Sequence, residues 1–196
     1  MTESRPTYRL AIEPLIDVFE QLGIAYHIAG SVATLAHGIS RTTMDVDLVA
    51  DIQQKHIAAL VHQLESHYYI EEEAMVDAVA NRSSFNLLHL ETMFKVDVFV
   101  LKTASFDQAA FMRADLKAFG LEEDARAFFV ESPEDVILNK LRWYRMGGER
   151  SERQWLDVQG VLKVQAGLLD IVYLRKWAED LRLLDLLVKA MQESER

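Results

Sequence analysis

The chain has no cysteine among its 196 residues, which excludes disulfides, thiolate metal sites and cysteine nucleophiles. Only three residues are proline while half are hydrophobic. Extensive disorder is therefore not expected, because such a chain can bury enough apolar surface to offset its ordering entropy. It shows no apolar run long enough to span a bilayer and no N-terminal signal peptide, so the expected compartment is the cytoplasm, with no membrane partner. Basic charge is scarce as well, with 21 Lys and Arg against 31 Asp and Glu and a formal net charge of -10. Nonspecific nucleic-acid binding works by neutralising phosphates with Lys and Arg, so a broad nucleic-acid surface is disfavoured. A local basic pocket for an RNA end stays compatible with this charge. Internal repeats and low-complexity linkers are absent too. A chain of this length can bury one substantial core and carry a small helical appendage.

What the chain does carry is a spaced set of aspartates behind a Gly-Ser pair. Met44, Val46 and Leu48 are apolar at alternate positions, as a half-buried strand requires, which puts Asp45 and Asp47 together on the other face. Phe94, Val96, Val98 and Val100 repeat the alternation, so Lys95, Asp97 and Phe99 share one face of a second strand. If the two strands are neighbours, three carboxylates converge. Their mutual repulsion is costly unless divalent cations compensate it. Hard oxygen ligands of this kind suit Mg2+, which keeps several waters and is completed by substrate phosphates. Two such ions, with Mn2+ as a substitute, would align an attacking oxygen and a leaving pyrophosphate. Upstream, residues 24–29 read as a strand and residues 31–36 as a short helix, so Gly30 lies at a strand-to-helix turn. There a ligand can approach the backbone, and free amides with the Ser31 hydroxyl can bind phosphate.

The remaining organisation reads coarsely as α+β. A helix is expected from Tyr8 to Leu22, stopped at Gly23, and another over residues 53–66. Glu71, Glu72 and Glu73 read as a solvated acidic run. Strands over residues 84–90 and 92–101 form a meander that returns Asp97 toward the sheet centre, and residues 124–130 add an edge strand. Ser132 and Pro133 open a helix as N-cap and first helical residue. Gly147 and Gly148 end it, Ser151 caps the next, and the rest of the chain is helical. The stripe Leu181, Leu184, Leu187, Val188, Met191 would pack on the domain or on a second copy in a homodimer.

Gly-Ser, an Asp-x-Asp on one strand and a third Asp on a later strand together resemble the nucleotidyltransferase superfamily related to DNA polymerase beta. The stretch Ser132 to Tyr144, followed by Ser151 to Val158, is similar to the helical region of AbiEii toxin-like and minimal nucleotidyltransferase proteins of prokaryotes. The resemblance runs from about Ile24 to Asp157. It implies a nucleotidyltransferase fold, a small mixed sheet flanked by helices over residues 1–131 with a C-terminal helical region over 132–196. It also implies transfer of a nucleoside monophosphate from an NTP to an acceptor hydroxyl. The implied metal ligands and catalytic residues are Asp45, Asp47 and Asp97. The implied nucleotide contacts are Gly30, Ser31 and Lys140, with Asp157 as a polar partner near nucleotide or acceptor. Arg41 can contact phosphate or acceptor. By the same resemblance the acceptor is a tRNA 3' end or a hydroxyl of a partner protein, and a toxin role brings a cognate antitoxin.

Each feature also has a plainer reading. Alternating aspartates often mark only a solvated face, and Asp97 can simply pair with Lys95. Arg41 before a strand needs no function, and Thr43 can serve the loop by hydrogen bonding. Lys140 flanks an apolar stripe of Val136, Ile137, Leu141 and Tyr144 and can lay its methylenes there while reaching water. Asp157 stands four residues after Arg153, the spacing of a surface ion pair. His37 reads as loop structure, and His27, His56, His62, His67 and His89 show no metal-ligand spacing. Two further functions stay open: an inactive nucleotide-binding or protein-interaction module on the same fold, and a modifier of small molecules such as aminoglycosides.

Overall fold

Val46, Leu48 and Ala50 alternate with Asp45, Asp47 and Val49, and the strand they form buries the first set while the second is half-exposed. This strand lies at the heart of a mixed sheet in a computed structural model, which describes residues 7–39, 43, 45–118 and 126–194. The chain divides into two compact units, one of Met1–Ser31 and Thr42–Met112, the other of Val32–Arg41 and Arg113–Arg196.

The first unit runs through α1 (Thr7–Gln21), β1 (Tyr26–Ala29), the start of α2 (Gly30–Ala36), β2 (Asp45–Ala50) and a 3-10 turn at Gln54–His56. It continues with α3 (Ile57–Leu64), β3 (Tyr68–Ile70), α4 (Glu72–Asn81), β4 (Ser84–His89), β5 (Lys95–Val100) and α5 (Ser105–Met112). Its strands stand in the order β3-β4-β5-β2-β1. β2 and β5 are parallel, and the other neighbours in this unit are antiparallel. The β4 to β5 meander thus returns β5 to the centre, as the sequence predicts. One sheet face packs under α1 and α4, where Ile12, Leu15, Ile16 and Met75 bury fully with Val46, Leu48, Val96 and Val98. Tyr68 is buried with them, its hydroxyl donating to the Ala11 carbonyl at 2.8 Å.

Glu71, Glu72 and Glu73 are exposed, as the sequence reading has them, and Glu72 and Glu73 form the first turn of α4, a helix that reading does not anticipate; carboxylates there face the positive end of the helix dipole. α5 was not anticipated; its short sequence buries only Phe106 and Ala110, too few positions to establish a period.

The second unit holds the rest of α2, the hairpin β6 (Asp115–Ala118) and β7 (Ala127–Val130), then α6 (Pro133–Met146), α7 (Glu152–Val164), α8 (Ile171–Asp180) and α9 (Leu184–Ser194). α6 starts as its sequence dictates, with Pro133 in the first turn and the Ser132 hydroxyl accepting from the Asp135 amide. Ser151 caps α7 through the Gln154 amide in the same way, and Asp170 caps α8. Beneath these caps lies a polar knot. Asp135 is fully buried; Ser132 Oγ donates to its Oδ2 at 2.6 Å and Tyr173 Oη to its Oδ1 at 2.8 Å. Arg113 bonds Glu134 at 2.9 Å and stacks 3.9 Å from the Tyr173 ring centroid. Burial pushes the Asp135 carboxyl up despite these donors. The knot joins Arg113, just before β6, to the first turns of α6 and α8.

Candidate active site

Strand register brings the predicted carboxylates of the first unit together. Asp47 on β2 pairs with Asp97 on β5, and Asp45 pairs with Lys95 one pleat along. On the flanks Ala29 of β1 pairs with Asp47 and Asn86 of β4 with Asp97. Because paired positions share a face, Asp45, Asp47, Lys95, Asp97 and Asn86 stand on the side opposite the core.

Gly30 fixes Asp47 from the side. It follows β1 directly and has φ +60, a left-handed conformation that glycine adopts without penalty. A Cβ at this position would overlap Asp47 Oδ2 and lie 2.8 Å from its Cγ, so the carboxylate occupies the space that a side chain would need. Ser31 follows at 8% exposure. Thr43 secures the first aspartate, its hydroxyl lying 2.9 Å from Asp45 Oδ1 and 2.8 Å from the Asp45 carbonyl oxygen. This is the supporting role open to it from sequence.

Asp97 has a cation at hand. Lys95 Nζ lies 2.7 Å from Asp97 Oδ2, with 49% of the lysine side chain exposed and 14% of the aspartate. Its bond to Asp97, aided by the charges of Asp97, Asp45 and Asp47, raises the Lys95 ammonium above its ordinary range. Among the described residues no three His, Asp or Glu side chains already stand as a metal cage. Hard oxygens on paired strands are the donor type that Mg2+ would need, an ion that takes one or two carboxylates and fills its octahedron with water and substrate phosphate.

Beyond Asp47 the same face turns apolar. His27, paired with Val49, is 2% exposed and its ring lies 5.2 Å from that of Phe111 on α5. Neither ring nitrogen has a hydrogen-bond partner among the described residues, and burial pushes the imidazole down to about 4. The sequence reading does not anticipate this burial; its one signal is a polar side chain inside the apolar run before Gly30.

The other predicted residues belong to the second unit. Lys140 on α6 and Asp157 on α7 meet at 2.8 Å, with side chains 6% and 7% exposed. Lys140 therefore does not run out to water along its stripe; it is buried and neutralised by the aspartate that the sequence paired with it by resemblance. His37 is 1% exposed, and its Nε2 lies 2.8 Å from the Glu131 carbonyl, which makes Nε2 the protonated nitrogen. Burial lowers this imidazole as well. Gly38 next to it has φ +95, with Val164 Cγ1 at 2.8 Å from a Cβ built there. Arg41 lies outside the described residues.

No family model and no curated protein matches the chain. Solved structures do. A crystal structure of ANT(2'')-Ia in complex with adenylyl-2''-tobramycin is similar with a TM-score of 0.58 at 13% identity, over 89% of this chain and 98% of that one. A lincomycin-bound structure of the lincosamide antibiotic adenylyltransferase LnuA is similar with a TM-score of 0.50 at 16% identity, over 82% of this chain and 99% of that one. The chain has the mixed α+β fold of nucleotidyltransferases.

Proposed function

We propose that this protein is a Mg2+-dependent nucleotidyltransferase that moves a nucleoside monophosphate from an NTP to an acceptor hydroxyl and releases pyrophosphate. The observation that carries this is the placement of Asp45, Asp47 and Asp97 on one sheet face, with Asp47 seated against the bare Cα of Gly30. Asp45 and Asp47 hold the metal, and Thr43 keeps the Asp45 carboxylate turned. When bound, Mg2+ would supply charge stabilisation as the α-phosphorus becomes five-coordinate and pyrophosphate leaves. Asp97, paired with Asp47, acts as ligand or as base for the acceptor hydroxyl, whose oxygen bonds the α-phosphorus as the bond to the pyrophosphate oxygen breaks. The Gly30 backbone and the Ser31 hydroxyl hold the β and γ phosphates. Roles for Lys140 and Asp157 at the nucleotide rest on the family resemblance alone, and a phosphate or acceptor contact by Arg41 rests on its place in the sequence just before β2.

The acceptor to test first is a small hydroxylated molecule, since similar structures include a lincomycin-bound lincosamide antibiotic adenylyltransferase and ANT(2'')-Ia with adenylyl-2''-tobramycin, and an acidic chain suits a cationic acceptor. A tRNA 3' end and a protein hydroxyl are the alternatives, the latter with a toxin-like role, a cognate antitoxin and a homodimer. Calorimetry with each of the four NTPs, with and without Mg2+, tests the site. Metal-dependent binding that disappears in Asp45→Asn/Asp47→Asn is the expected result, followed by transfer of labelled nucleotide in acceptor screens. Absence of binding by any NTP would overturn the proposal, and binding without transfer to any acceptor class would favour a nucleotide-sensing module.

A further inference from the structure

Lys95 carries no role in the reaction described above, yet it stands among all three carboxylates. It pairs with Asp45 across the strands, is two residues from Asp97 on the same strand face, and is diagonal to Asp47. Its ammonium has already taken one oxygen of Asp97 at 2.7 Å. We infer that Lys95 is the resident counter-cation of this face, a positioning residue that holds Asp97 in the metal-free protein and releases it when a divalent ion binds. The inference rests on the proposed metal-dependent site and adds to it a competition internal to the chain.

The physical reason is charge balance. Three carboxylates on adjacent strands repel one another, and one ammonium between them lowers that cost without satisfying it. A divalent ion brings twice the charge, and an ammonium held 2.7 Å from Asp97 Oδ2 repels it from the same carboxylates, so the two cations compete for one face. The lysine can leave at low cost: about half its side chain is in solvent, so the freed ammonium is rehydrated without unpacking the core. Asp97 is the less exposed partner and stays. The arrangement keeps the aspartate aimed before the ion arrives and sets a threshold on metal affinity.

The test is calorimetric titration with Mn2+ alone, and separately Mg2+ alone, into the wild type, Lys95→Met, Lys95→Arg and Asp45→Asn/Asp47→Asn. Thermal midpoints are measured on the same proteins with and without metal. Removing the competing charge should tighten metal binding by about tenfold in Lys95→Met, whereas Lys95→Arg stays close to wild type. Metal-free Lys95→Met should melt below wild type and regain the difference on saturation with Mn2+. Unchanged or weaker metal binding in Lys95→Met, with binding intact in wild type and lost in Asp45→Asn/Asp47→Asn, overturns this inference and leaves the metal site standing. No metal binding in any variant overturns both.

Discussion

At φ +60 Gly30 holds a backbone conformation that costs an L residue about 1–2 kcal/mol, and a Cβ there overlaps the Asp47 carboxylate. Gly30→Ala is therefore expected to destabilise the protein by at least that amount and to abolish metal-dependent NTP binding. A denaturant melt and a nucleotide titration on the same sample check both, and retained NTP affinity would show that Asp47 need not sit where it does. His27 gives a pH prediction. Its imidazole titrates near 6.5 in the unfolded chain and is held down to about 4 by burial in the fold, so the unfolded chain takes up the proton first as pH drops. The neutral ring's contribution is complete above pH 6.5 and is lost as pH falls through about 4, a swing on the order of 3 kcal/mol. His27→Leu should flatten this part of the stability curve. It should also match or exceed wild-type stability at pH 8, because it removes two buried ring nitrogens that have no partner among the described residues. An equally steep acid limb in the variant would assign the slope elsewhere.

Between elements, the decisive contact is α6 against α7 through Lys140 and Asp157, buried at 2.8 Å. Removing one partner of such a pair strands a charge in the interior, at a cost of about 3–5 kcal/mol, while replacing both by apolar residues is often near neutral. Asp157→Ala and Lys140→Met should each lower urea midpoints strongly, and Lys140→Met/Asp157→Leu should recover most of the loss. Additive losses in the double variant would mean that the two side chains do not act as a pair. Elements also show where the sequence was readable. The caps Ser132 and Ser151 and the alternating strands β2 and β5 appear as read, since each depends on neighbours along the chain. α4 and α5 did not, because their buried positions are few and acidic or small residues dominate their surfaces. The C-terminal stretch, read as simply helical, is broken at Gly167 and Arg182, both at positive φ, into α7, α8 and α9.

At the scale of the whole molecule, the charge of -10 bears on partners. Nonspecific duplex DNA or RNA should show no measurable binding by fluorescence anisotropy at physiological salt, because the counterion release that drives such binding needs clustered cations. Tight, salt-sensitive binding to random sequence would contradict this. The sequence by itself determined the caps, the strand faces, the glycine turn and the identity of the three aspartates, since alternation and capping are local properties of a chain. Which strands are neighbours is not local. The parallel register that sets Asp47 beside Asp97 and Asp45 beside Lys95, the seating of Asp47 on Gly30, and the burial of His27, Lys140 and Asp157 all join residues far apart in the chain. Those were decided by the tertiary structure, because desolvation and charge pairing depend on what surrounds a side chain in space.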